Sequence, residues 1–182
     1  MTLLHVTEVG RRVAVSRLLP HTAFYLLDYL ARQSAELHAL DSSPFDYCLL
    51  NACLTAPEFS GRHRTRSLPE VFAVDVPNEL VERCAATLAE PRWQAYRKAA
   101  NAAALLIDWL EGVPLRLLEE RFTGVRAGAL RQLRQEVAGV LSELSSLLAA
   151  ATQPPLVNLR DLLVPMRRLV SRLDTGRPPA RL

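Results

Sequence analysis

The stretch GALRQLRQEVAGVLSELSSLLAAA, residues 128–151, limits the fold more than any other part of the chain, because it is the longest unbroken amphipathic pattern. At about 100° per residue, Leu130, Leu133, Val137, Val140, Leu141, Leu144, Leu147 and Leu148 gather on one side of a helix. That side has to be buried. The opposite side carries Gln132, Glu136, Gly139, Glu143 and Ser146, with Arg131 and Arg134 on one flank, so a polar face is left for solvent, a partner or a ligand.

Other parts of the chain favour helices too. Leucine and alanine abound, Ile107 is the lone isoleucine and aromatic residues make up 6% of the sequence, so straight-chain helix formers outweigh sheet formers. An all-α bundle of about six to seven helices is expected. Its helices are read at residues 22–40 with Phe24, Leu27, Leu30 and Leu37 inward, and at 44–56 with Ser43 as cap and Pro44 first. Others follow at 78–90 behind Asn78, 92–111 behind Pro91 with Gly112 as C-terminal cap, and 114–122. After residues 128–151, Asn158 caps a last helix over 158–173 that Pro165 should kink. Residues 1–19 read as an N-terminal arm in which Thr7 can cap a short turn or helix before Gly10 and VAVSRL could return as a strand; 20–152 read as the bundle domain. Residues 153–182 read as a linker, a kinked helix and a basic tail with a disordered end.

Charge is unevenly spread: the net charge is +3, and the last residues, with Arg167 and Arg168, supply the excess. A second basic cluster, GRHRTRS, places Arg62, Arg64 and Arg66 in one surface loop. Either could touch phosphate, although a solvated loop of charges is the commoner meaning of such a run. The abundance of arginine over the single lysine, Lys98, also follows from a GC-rich genome.

Signatures of catalysis are absent. The sequence has no GxxxxGK[ST], no GxGxxG after a strand, no HExxH and no GxSxG. Cys48, Cys53 and Cys84 form no CxxC pair and the histidines no HxxxH pair, so free buried thiols are expected, with no metal and no cofactor. Asp108 with Glu111 and Glu119 with Glu120 are read as solvated neighbours rather than an acid–base pair. With no leader and no long apolar run, a cytoplasmic, membrane-free protein without enzyme activity is the expectation.

Three collinear segments carry a family resemblance. TEVGRRVA leading into residues 20–30, then PFDYCLLNACLTAPEF, then DWLEGVPLRLLEERFTGVRAGALRQL, resemble the C-terminal part of HelQ-type superfamily 2 DNA helicases. There the winged-helix domain gives way to a helical "ratchet" domain, and residues 1–19 would be the winged-helix remnant. In that family the ratchet helix touches the translocating single strand, which implies a DNA-facing role for residues 128–151. The sequence departs from the pattern at three places: Gly139 stands where a base-stacking tryptophan is common, Gln132 where a basic residue is, and Ala129 where the family has an aspartate after the glycine. An aromatic stack is worth about 1–3 kcal/mol per base and glycine offers none.

Two functions follow as expectations. One is a non-catalytic, helicase-derived module that contacts single-stranded DNA or assists a helicase motor through Arg131, Gln132, Arg134, Arg62, Arg64, Arg66, Arg167 and Arg168. The other is a structural adaptor that seats a protein partner on Gly139, Glu136 and Glu143. Glycine inside a helix costs roughly 0.5–1 kcal/mol against alanine, which suggests that something bulky comes close there.

Overall fold

The computed structural model describes residues 8–60, 65–66, 68–69, 72–73, 93–152, 154 and 156–175. They form an all-α helical bundle. In chain order the elements are α1 (Glu8–Val15), α2 (Pro20–His38), α3 (Ser42–Thr55), α4 (Pro57–Ser60), β1 (Phe72–Ala73) and α5 (Trp93–Leu110). Next come α6 (Leu115–Arg121), β2 (Phe122–Thr123), α7 (Ala127–Ala149), a 3-10 segment (Leu156–Leu162) and α8 (Leu163–Thr175). The two short strands pair antiparallel, Phe72 opposite Thr123 and Ala73 opposite Phe122.

α3 occupies the centre. Every residue from Phe45 to Thr55 is buried, so this helix has no solvent face. A helix that is apolar nearly all round belongs inside a body. It packs chiefly on α5 and also meets α2, α4, α7 and α8. Ala99, Ala100, Ala102 and Ala103 of α5 are almost wholly buried, and small side chains of this kind let helix backbones approach closely. Around this centre the seam of α7 is complete: Leu130, Leu133, Val137, Val140, Leu141, Leu144, Leu147 and Leu148 are all buried. α7 packs chiefly on α8 and also meets α1, α2, α3 and the 3-10 segment.

The N-terminal arm is helical from Glu8, in keeping with the turn or helix read before Gly10, and departs from its expectation only beyond that. Residues 13–15 continue helix α1 rather than forming a strand, and Val13 and Leu18 join the core. Phe24, expected inward on α2, is 55% exposed, whereas Leu27, Leu30 and Leu37 are buried. Its position places it off the stripe formed by Leu26, Leu27 and Leu30.

α3 begins one residue before Ser43, with Asp41 at the N-cap and Pro44 already inside the first turn. A proline is tolerated there because that turn's amides have no intrahelical acceptors. Likewise Asn158 lies within the 3-10 segment rather than capping a helix, and regular α geometry starts only at Leu163, just ahead of Pro165. The helix expected at 78–90 and the tail at 176–182 lie outside the described residues.

The stretch from residue 156 to 175 is not an appendage. Leu159, Leu162, Met166, Leu169 and Leu173 are buried in the same core as α3 and α7. Two of its arginines serve that packing. Arg160 donates through Nη2 to the carbonyls of Ala149 and Ala151, at 3.1 and 2.6 Å, satisfying orphan acceptors at the end of α7. Arg172 pairs with Asp46 of α3.

Gly112 ends α5 as expected. Its φ is 87°, its N–H donates to Trp109 O at 3.0 Å, and the next amide, Val113, reaches back to Asp108 O at 3.0 Å. This double bond pattern with a left-handed glycine closes a helix without strain. Gly112→Ala is therefore expected to lower stability by about 1–2 kcal/mol, read from the urea midpoint, and an unchanged midpoint would show that the turn tolerates a side chain.

Candidate functional site

The exposed side of α7 is built by the same periodicity that buries its seam. Gln132, Gly139 and Ser146 are exposed and Glu136 and Glu143 half-buried, so the polar face does look outward. Its N-terminal end is basic. Arg126 sits at the N-cap without a side-chain capping bond, the first turn contains no acidic residue, and Arg126 and Arg131 are exposed. Helix stability favours the opposite arrangement, since the amide end of a helix is already positive.

The arginines and glutamine expected to meet nucleic acid are used in different ways. Arg131 stands in solvent. Gln132 donates through Nε2 to Glu136 Oε1 at 2.8 Å on its own helix. Arg134 lies over the Trp109 ring, 4.7 Å from its centroid, and its buried Nε has no hydrogen-bond partner among the described residues. This stack holds the guanidinium plane against α5. Arg62 and Arg64 lie outside the described residues.

Arg66 corrects the reading of its loop. It turns inward, its Nε donating to Glu58 Oε2 at 2.5 Å and its Nη1 to Glu136 O at 3.5 Å. Glu58 is 1% exposed, and its other oxygen accepts the Leu19 amide at 2.7 Å. The amide of Glu58 donates to Thr22 Oγ1 at 3.2 Å, and its carbonyl accepts the Thr65 and Arg66 amides. One buried carboxylate thus ties the start of α2, helix α4 and the loop after it. Burying an anion is tolerable only with such pairing.

Arg167 and Arg168 are exposed on α8. Arg168 borders a cavity between the start of α3, the end of α5 and α8, and none of that cavity's lining residues belongs to α7. Among the described cations of this set, Arg66 is thus engaged by Glu58 and the Glu136 carbonyl, whereas Arg168 borders that cavity.

The partner-binding trio does share the α7 face. Glu136 keeps a buried Oε2 with no partner among the described residues. Apart from its chain neighbours and its own helix backbone, Gly139 has no described atom within 4 Å of the place a Cβ would occupy. The close approach expected at this glycine is thus not made by the chain's own described residues. An alanine would fit, with the helix gaining roughly 0.5–1 kcal/mol.

Asp108, Cys48 and Cys53, also singled out in the sequence, are all at least partly buried. Asp108 pairs with Arg121 at 2.7 Å. Burial raises its pKa, Arg121 opposes the rise and Glu111 adds to it, so Asp108 is not the plainly solvated carboxylate expected. Cys48 and Cys53 are buried thiols. Burial drives the Cys53 thiol far above the ordinary range, with Arg66 opposing and Glu58 reinforcing, which denies it a nucleophilic thiolate. No group of three or more histidine, cysteine, aspartate or glutamate side chains able to hold a metal ion occurs among the described residues. No described helix is long and apolar enough to cross a membrane.

The sequence reading missed the Asp46–Arg172 pair. Asp46 sits in an otherwise apolar run, a signal that its charge needs a partner, but the partner is 126 positions away. No protein-family model matches the chain, and no curated protein or solved structure matches it.

Proposed function

We propose that this chain is a non-catalytic helical module of the helicase-ratchet type, working beside a motor and meeting a nucleic-acid strand at the N-terminal end of α7. The observation that carries this reading is the gathering of Arg126 and Arg131 at a helix end whose amides are already positive. Nothing in the folding of α7 calls for cations there. A phosphate placed at that end would be held by both the side chains and the helix terminus. Arg134, stacked on Trp109, adds a third cation one turn further along.

Anisotropy of labelled single-stranded DNA tests it. Three phosphate contacts on a single strand give a log–log salt slope of about −2, so affinity should fall about 20-fold between 50 and 200 mM salt. Arg126→Ala with Arg131→Ala should bring the slope to about −0.7. A flat titration at low salt would remove strand contact as an activity of this chain by itself.

A second reading, a structural adaptor, is favoured by Gly139 and its surroundings. Glu136 and Glu143 stand one turn to either side of Gly139 and repel phosphate, while the glycine leaves room for close approach from outside. The partner suited to that patch is a protein segment carrying basic side chains, by charge complementarity.

A further inference from the structure

The cavity between α3, α5 and α8 has a volume of about 540 Å³, which lies within the roughly 300–1,000 Å³ of small-ligand sites. Its polar wall carries both signs of charge. Asp46 and Glu111 bring carboxylates, and Arg168 and Arg172 bring guanidinium groups. Asp46 is fully buried, yet only its Oδ2 is engaged, by Arg172 Nη1. Arg172 Nη2 donates to Leu110 O at 3.3 Å. Asp46 Oδ1 and Arg172 Nε are both buried without a partner among the described residues.

An orphan anionic acceptor and an orphan cationic donor in one wall are costly to leave unmade. A fork-to-fork pairing between these side chains would have satisfied both. Outside the pair the polarity repeats. Ser43 Oγ donates to Glu111 Oε1 at 3.2 Å, fixing that carboxylate at the rim, and Arg168 stands exposed at the same rim. A simple anion entering here meets Asp46 and Glu111; a simple cation meets Arg168. A molecule with separate positive and negative ends meets a complement for each.

We propose that this cavity binds a small zwitterion of the free amino-acid class, its ammonium drawn to the carboxylate side of the lining, Glu111 backed by Asp46, and its carboxylate to the guanidinium side, Arg168 backed by Arg172. The site is separate from α7 and owes nothing to the strand-binding reading.

Calorimetric titration of the full chain with glycine, L-serine and L-glutamine at neutral pH tests the assignment, with N-acetylglycine and glycinamide as probes lacking one charge each. At least one free amino acid should bind saturably, and each singly blocked probe should bind at least about tenfold more weakly. Arg168→Ala and Glu111→Gln change exposed side chains, so they should leave the helical circular-dichroism signal intact while weakening binding about tenfold. No saturable heat from any of the three amino acids up to about 20 mM would overturn the proposal. So would equal binding of the blocked probes, or binding indifferent to both substitutions.

Discussion

Glu58→Ala is expected to destabilise the fold by about 3–5 kcal/mol, because it removes one partner of a buried ion pair and strands the other. Arg66 is left 22% exposed with no carboxylate, and the Leu19 amide loses the acceptor that holds it at the head of α2. For a chain of this size the loss corresponds to a fall in Tm of roughly 6–20 °C. Glu58→Gln keeps an acceptor oxygen and should cost about 1–3 kcal/mol, since one donor of the two keeps its bond. Thermal and urea unfolding of both variants measure the difference, and equal losses would show that shape rather than charge matters at this position. A small loss for Glu58→Ala would mean that solvent reaches the site.

The Asp46–Arg172 pair should behave differently when both partners are removed. Asp46→Leu alone leaves a half-buried guanidinium unpaired and is expected to cost about 2–4 kcal/mol. Combined with Arg172→Met the cost should shrink to within about 1 kcal/mol of wild type, because an apolar pair needs no desolvation to be repaid. The pKa of Asp46 points the same way. Burial pushes it up to about 6 from 3.8, against the opposing pull of Arg172 and Arg168. The folded chain therefore takes up a proton at a pH where the unfolded chain does not.

This group's contribution to stability is fully present below the unfolded pKa of 3.8 and is lost as pH rises through about 6. Comparing wild type with Asp46→Asn at pH 5 and 7.5 should isolate a gain on the order of 1 kcal/mol at the lower pH. A stability difference that does not vary with pH would place the titration elsewhere.

Periodicity made the helices legible and left their partners illegible. The α7 seam could be read residue by residue because one face of a long helix repeats on a local period. The centrality of α3 could not be read that way. Its burial from Phe45 to Thr55 erases the contrast between faces, and a short apolar run looks alike on a central helix and a peripheral one.

Charge was harder still. GRHRTRS reads as a solvated basic loop, yet Arg66 is drawn inward by Glu58, eight residues back. Whether an arginine faces water or a carboxylate depends on where the backbone brings the carboxylate, and local composition carries no record of that. Gly139 shows the reverse case. Its cost to the helix was visible from the sequence, but only the three-dimensional surroundings reveal that no described neighbour within the chain requires it. The α1 segment misled because a few alternating residues fit a strand as well as a short helix, and contacts with α2 and α7 decide between them.

The last helix has a bearing on how the body comes together during synthesis. α8 lies along α7 and sends Arg172 across to α3, so elements far apart in the sequence share one interior. A ribosome delivers α3 long before it delivers α8. Until α8 arrives Asp46 lacks Arg172 and α7 lacks the helix it packs on most, so the nascent chain exposes apolar surface that invites aggregation.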